Sequence, residues 1–210
     1  MAWDEALMEA SGAIGKPVLR FYSWIGAPAT FGYSQRYSEI ERATMLRPLI
    51  RRPTGGGLVP HNHDWTYSLI FLPAHFWYRM RAIESYQRLH EWIRDAFSKL
   101  GVETELSPQT RKETPGQCFV GAERFDLLWH GRKIAGAAQR RTKLGLLIQG
   151  SVQPPPVGRA KADWQKAMCD VAHEQFGADW KAFEPDRPLA ERMAQLAEQK
   201  YSRRTFNEKR

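Results

Sequence analysis

The chain has 210 residues, of which 42% are hydrophobic and 12% aromatic, enough to bury a full core in one domain with at most a small appendage. Lys and Arg number 31 against 23 Asp and Glu, a net charge of +8 that favours an acidic partner. Nucleic acid is one candidate and an acidic carrier protein another; neither zinc-finger spacing nor an RNA-binding signature is present, and net charge alone does not choose between the two. No run of about 20 apolar residues offers a membrane span, and the acidic, amphipathic start is not a signal peptide. Two cysteines, Cys118 and Cys169, are too few for a disulfide framework, so a reducing, cytoplasmic setting is expected.

In chain order, Trp3, Ala6, Leu7 and Ala10 recur at helical spacing until Gly12 and Gly15 break the pattern. Residues 18–24 and 29–33 read as strands, and residues 38–45 as a short helix with Ser38 at its N-cap. A strand over 65–71 follows a glycine triplet. The clearest helix covers 83–100, with Ile83, Tyr86, Leu89, Trp92, Ile93, Phe97 and Leu100 on one face and Gly101 closing it. Residues 102–106 form a short strand and 107–117 a polar loop with two prolines. Strands over 125–129 and 144–152 flank a return segment, 132–141, and Pro154, Pro155 and Pro156 end the sheet region. Residues 160–176 and 188–202 are amphipathic helices, and a basic tail follows. Strands and helices mix without regular βαβ alternation, which gives an α+β class.

The run Arg51-Arg52-Pro53-Thr54-Gly55-Gly56-Gly57-Leu58-Val59-Pro60-His61 is the first candidate site. Three glycines carry no side chains, so a ligand can lie directly on the backbone. Arginines before the bend and an apolar strand after it suit a ligand with a polar head and an apolar tail, and the same pattern also suits an ordinary turn with solvated arginines. It is not a phosphate loop, because no Gly-Lys-Ser/Thr follows. Cys118 follows a Pro-Gly loop among basic residues, the setting that lowers a thiol pKa; a free cysteine is also commonly a small buried residue. Cys169, beside Met168 in a helix, takes that second role. Lys133 precedes Ile134-Ala135-Gly136-Ala137-Ala138, whose low bulk lets a lysine approach a small ligand, to polarise a carbonyl or lower a neighbouring thiol's pKa; its spacing alone equally suits a solvated turn lysine. His61 could line a pocket or act as a base. His61 and His63 have no third ligand spaced for a metal, and Ser68 and Ser151 sit in no nucleophile elbow.

Four segments together resemble the biotin/lipoate protein ligase and lipoyl/octanoyl transferase superfamily. They are the opening Met1-Ala2-Trp3-Asp4-Glu5-Ala6-Leu7, the segment from Pro17 to Trp24, the triple-glycine run, and the stretch from Phe125 through Lys133 to Arg141. The resemblance covers most of residues 1–152. It implies an α+β catalytic domain with a mixed, largely antiparallel sheet flanked by helices, residues 153–210 being its helical C-terminal part. A few residues before Met1 and a small accessory domain after the tail, both common in the family, are expected to be absent. An acyl chain is implied between the glycine run and the Lys133 segment. Lys133 would contact the acyl carbonyl, and Arg52, Gly57, Leu58 and Val59 would lie near the head group or adenylate. Thr54, Gly55, Gly56 and His61 complete that side, and Gly136, Ala137 and Ala138 form a small-residue wall.

Cys118-Phe119 resembles the nucleophile segment of the Gram-positive-type octanoyltransferase. The resemblance therefore implies transfer of an octanoyl-type group through a cysteine thioester, with Cys118 and Lys133 carrying the chemistry and no cofactor. The donor would be octanoyl-acyl carrier protein, and the acceptor a lipoyl domain or a glycine-cleavage H-type protein. The alternative is an ATP- and magnesium-dependent lipoate–protein ligase; a non-catalytic binding relative is more remote. Gln149 stands where relatives often carry a histidine, which leaves the base to His61 or Lys133.

Overall fold

Successive side chains of a strand point to opposite faces, so Trp65-Thr66-Tyr67-Ser68 gives one face aromatic and the other polar residues, while Leu69-Ile70-Phe71 is apolar on both. A computed structural model describes residues 1–111 and 121–209. In chain order the elements are α1 (Ala2–Glu9), α2 (Ser11–Ile14), β1 (Val18–Tyr22), β2 (Ala29–Phe31), α3 (Tyr37–Ala43), β3 (Leu49–Arg51), β4 (Val59–Pro60) and β5 (Trp65–Phe71). There follow α4 (Phe76–Arg79), α5 (Ala82–Lys99), β6 (Glu105–Leu106), β7 (Leu127–Trp129), β8 (Arg132–Thr142) and β9 (Gly145–Val152). The chain continues through α6 (Lys161–Phe176), α7 (Arg187–Leu196), a π-helical turn (Ala197–Tyr201) and α8 (Arg204–Asn207).

The main sheet has six strands in the order β1-β5-β9-β8-β7-β6, every neighbouring pair antiparallel. In a second, three-stranded sheet β2 pairs parallel with β3 and antiparallel with β4. The α+β class with a mixed, largely antiparallel sheet is as expected.

One face of the main sheet is apolar throughout. Trp65, Tyr67, Leu69 and Phe71 of β5, with Leu146, Ile148 and Val152 of β9, pack on Leu89, Ile93 and Phe97 of α5 and Trp164 and Met168 of α6. Each such side chain contributes about 1.5–3 kcal/mol on burial. A Cβ on Gly150 would lie 2.1 Å from the Tyr67 ring, so only glycine leaves room for that aromatic. The other face changes along its length. Ile70 and Leu147 meet Leu7 of α1 and Leu189 of α7. The next positions are polar, with Ser68 opposite Gln149 and Thr66 opposite Ser151. The candidate site forms at this polar end.

Local differences from the sequence reading have physical causes. β1 stops at Tyr22, and Trp24 turns to stack on His61 with ring centroids 4.4 Å apart. Ile83 is 43% exposed; the buried face of α5 starts at Ser85 and includes His90. α3 begins at Tyr37 with Arg36, not Ser38, at its N-cap. Only the last two residues of 102–106 join the sheet. The helix expected over 188–202 ends at Leu196 and widens into the π turn. The tail forms α8, held to β3 by Arg51, which donates to the Asn207 carbonyl at 2.9 Å.

Candidate functional site

The arms of the glycine run are the short strands β3 and β4, which grip β2 from both sides. The bend between them is tightly packed. Gly56 has φ +87°, a conformation other L-residues rarely adopt. A Cβ on Gly32 would fall 2.0 Å from the Gly56 carbonyl oxygen, so backbone lies on backbone there. The two arginines are not solvated. Arg51 is fully buried and donates to the carbonyls of Tyr33 and Gln35, each at 2.7 Å. Arg52 donates to the carbonyls of Gly55 and Gly57 and to Thr30 Oγ1, each at 2.8 Å. The guanidinium thus braces the loop from within.

Across from this loop, β8 presents its small residues. Gly56, Val59 and His61 line one side of a pocket, and Gly136, Ala137 and Ala138 line the other, with Arg52 also at its wall. The free volume is about 40 Å³, room for only a few water-sized groups, and Met1 is among the residues that line it. The Tyr22 hydroxyl is buried at this pocket with no hydrogen-bond partner among the described residues. Such a group favours a ligand or water that can pair with it.

The other expected binding residues stand behind the pocket. Leu58 packs with Phe31 and Ile40 in a small core of its own. Thr54 donates to Gln149 Oε1 at 2.7 Å, while Gln149 Nε2 donates to Asp4 Oδ2 at 2.7 Å. Gln149 is therefore a fixed link between the glycine loop and α1. Gly55 and Gly57 offer their carbonyls to Arg52 rather than a surface to the pocket.

Lys133 is placed by a bulge between β7 and β8 at Leu127 and Leu128. Its Nζ lies 2.7 Å from Asp126 Oδ2, and its side chain is 5% exposed. Asp126 also accepts from the Glu123 backbone N–H at 2.6 Å and from the Tyr86 hydroxyl. A Cβ on Gly136 would meet Lys133 Nζ at 2.9 Å, so the missing side chain makes the space the lysine occupies. The Lys133 ammonium lies against the pocket-lining Gly136, in the space a side chain there would take. Beneath this group His90 is fully buried, and burial pushes its imidazole down to about 4. Cys118 lies outside the described residues.

A chain of polar groups runs along the opposite wall. His61 Nδ1 lies 2.8 Å from Asp64 Oδ2, and His61 Nε2 lies 2.8 Å from Thr30 Oγ1. The same Asp64 oxygen accepts from Ser151 Oγ at 2.6 Å and Thr66 Oγ1 at 3.0 Å. Sequence reading singled out His61 but not Asp64, Thr30 or Asp126. Asp64 carried a faint signal, three residues after His61; Thr30 carried none, because only the β2–β4 pairing brings it there. Among the described residues no cluster of three His, Cys, Asp or Glu could hold a metal ion, and no helix is long and apolar enough to cross a membrane.

Residues 1–153 match the family described as lipoyl protein ligase A/B catalytic domain. The octanoyltransferase LipM of Exiguobacterium sibiricum is 38% identical over 168 residues, covering 72% of this chain and 60% of that protein. LipM of Staphylococcus aureus is 36% identical over 166 residues with the same coverage. The chain thus spans about 60% of the length of these curated relatives. Among solved structures, a putative lipoate protein ligase of T. acidophilum superposes with a TM-score of 0.80 at 20% identity, over 100% of this chain and 92% of that one. A lipoate-protein ligase A bound with ATP also gives 0.80 at 20%, over 99% and 92%. A bi-partite archaeal lipoate protein ligase, described together with its E2 lipoyl domain, gives 0.73 at 19%, over 99% and 89%. At these identities the structural likeness establishes the fold.

Proposed function

The chain belongs to the lipoyl protein ligase A/B catalytic domain family, and we propose that it moves an octanoyl or related medium-chain acyl group from a carrier-protein thioester to a lysine of a lipoyl domain. The observation that carries this reading is the pocket itself. Gly56 faces the wall of Gly136, Ala137 and Ala138, and a buried ammonium, that of Lys133, lies against Gly136. Apolar, side-chain-poor walls suit an acyl chain, and a fixed cation suits the oxygen of a reacting carbonyl. The octanoyltransferase names of the relatives favour the same donor, and the E2 lipoyl domain named with the archaeal ligase favours the same acceptor. A net charge of +8 favours acidic protein partners.

The chemistry divides into two exchanges. The Cys118 thiolate attacks the carrier thioester; a new C–S bond forms, the carrier's C–S bond breaks, and the carrier leaves with the proton that Cys118 gave up. The amine of the acceptor lysine then attacks the acyl-enzyme; C–N forms and C–S breaks. Lys133 stabilises the oxyanion in each step. Cys118 holds the nucleophile's role on its sequence setting alone.

Intact-mass spectrometry after mixing the protein with octanoyl-carrier protein tests the reading. One octanoyl adduct is expected, lost in Cys118→Ala and kept in Cys169→Ala. Burial raises the Cys169 thiol pKa, which leaves it poorly nucleophilic. An adduct on Cys169, or full turnover by Cys118→Ala, overturns the thioester route.

A further inference from the structure

The pocket wall opposite Lys133 carries a proton path that the acyl-binding reading leaves unused. Asp64 accepts three hydrogen bonds on one carboxylate oxygen, from His61 Nδ1, Thr66 and Ser151. That arrangement assigns the proton to His61 Nδ1 and leaves Nε2 as an acceptor. Thr30 Oγ1 receives a hydrogen bond from Arg52 at 2.8 Å, so its own proton is free to point at His61 Nε2, also 2.8 Å away. Both Thr30 and His61 line the pocket, though they are 1% and 4% exposed. Trp24 stacks on the imidazole, and its indole N–H donates to Thr66 Oγ1 at 3.0 Å, which fixes the ring from its face and its edge. The result is a carboxylate, an oriented imidazole and a hydroxyl in line, ending at the site where the acyl group is placed. Such constellations are recognised by geometry and role, independent of sequence position.

We propose that His61 is the general base for the acceptor lysine, with Thr30 handing the proton on and Asp64 holding the ring in the accepting tautomer. This rests on the acyl-transfer reading above. A lysine amine is protonated at neutral pH and cannot attack until it loses a proton. The ammonium gives one proton to Thr30 Oγ as the Thr30 proton passes to His61 Nε2. The freed amine attacks the acyl carbonyl, C–N forms, and the C–S bond of the thioester breaks. The second proton shed by nitrogen goes to the leaving sulfur. The imidazolium, stabilised by Asp64, returns its proton to water. Asp64 is a positioning residue in this scheme. Gln149 cannot take the base's place, because an amide has no proton-accepting nitrogen and its two ends are tied to Thr54 and Asp4.

The test separates the two halves of the reaction. Acyl-enzyme is formed from octanoyl-carrier protein and then offered either a lipoyl domain or hydroxylamine, an amine already neutral at neutral pH. His61→Gln is expected to lower the ratio of the lipoyl-domain rate to the hydroxylamine rate, both measured from pre-formed acyl-enzyme, about 100-fold. Thr30→Val should show the same split, and Thr30→Ser should restore the lysine rate. Equal losses with both amines would make His61 a packing residue and overturn the proposal, as would an unchanged lysine rate. If the wild type gives no adduct from the carrier, the thioester reading fails instead. The same two amines are then presented with octanoyl-adenylate, where the base is needed just as much and the same split decides.

Discussion

Lys133 Nζ and Asp126 Oδ2 meet at 2.7 Å with side chains 5% and 0% exposed, so the lysine at the pocket wall is a buried ion pair. Two further groups hold the carboxylate, the Glu123 N–H and the Tyr86 hydroxyl, and the latter also accepts from the Ala137 N–H at 3.4 Å. Removing one member of such a pair leaves the other charged and unpaired. Asp126→Asn is therefore expected to destabilise the fold by about 3–5 kcal/mol. Adding Lys133→Met should return much of that loss, because the uncompensated ammonium goes with it. Denaturant midpoints of the two single variants and the double variant form the cycle that checks this. Additive losses would show that the pair is not coupled.

Tyr86→Phe removes one partner of Asp126 and leaves the ion pair. The expected loss is about 1–3 kcal/mol from the unsatisfied carboxylate oxygen. Acyl transfer should fall as Lys133 loses its fixed position. A stable variant with unchanged turnover would free Tyr86 from any role at the site.

Filling the pocket is best done from β8. Gly56→Val, the obvious sequence-level choice, confounds two effects. Its φ of +87° strains any side chain, and its Cβ would also meet Arg52 Nη2 at 3.2 Å. Ala138 lies on the opposite wall, 3.6 Å from where that Cβ would be, in ordinary strand backbone. Ala138→Leu should raise KM for the acyl donor at least tenfold while costing the fold about 1–3 kcal/mol or less. An unaltered KM in a folded variant would place the acyl chain elsewhere.

His90 makes stability depend on pH. Burial is the main cause of a pKa pushed down to about 4; Asp126 and the Tyr86 carbonyl oppose it, and Lys133 adds a small push in the same direction. Its unfolded value is about 6.5. As pH drops from about 6.5 towards 4 the unfolded chain takes up a proton that the folded chain refuses, so His90 costs stability across that window and is neutral in effect above it. The loss is roughly 3 kcal/mol at its limit. Urea midpoints at pH 7 and pH 5 should differ less in His90→Phe than in wild type. Equal slopes would show that His90 titrates normally.

The main elements were legible because burial writes period into sequence. From Leu89 to Phe97 α5 repeats its apolar positions at helical spacing, and β5 and β9 are short apolar runs buried along their whole length. The glycine run and the small wall at Gly136 to Ala138 were legible for the opposite reason, an absence of bulk. What stayed hidden depends on pairing between distant segments. β3 and β4 are too short to show alternation, and only the second sheet makes them strands. Asp126 read as part of a strand; its contact with Lys133 follows from a bulge that no local pattern announces. Asp64 and Thr30 meet at His61 across 34 residues of chain, which spacing rules for catalytic motifs do not anticipate.

Nucleotide dependence separates acyl transfer from a thioester and ATP-driven ligation. The protein is incubated with a lipoyl domain and either octanoyl-carrier protein without nucleotide or free octanoate with ATP and magnesium. Octanoylation of the acceptor lysine is expected from the carrier with no nucleotide present, and none from the free acid. Modification that requires ATP and free octanoate, with nothing from the carrier, would contradict transfer from the thioester and make the protein a ligase.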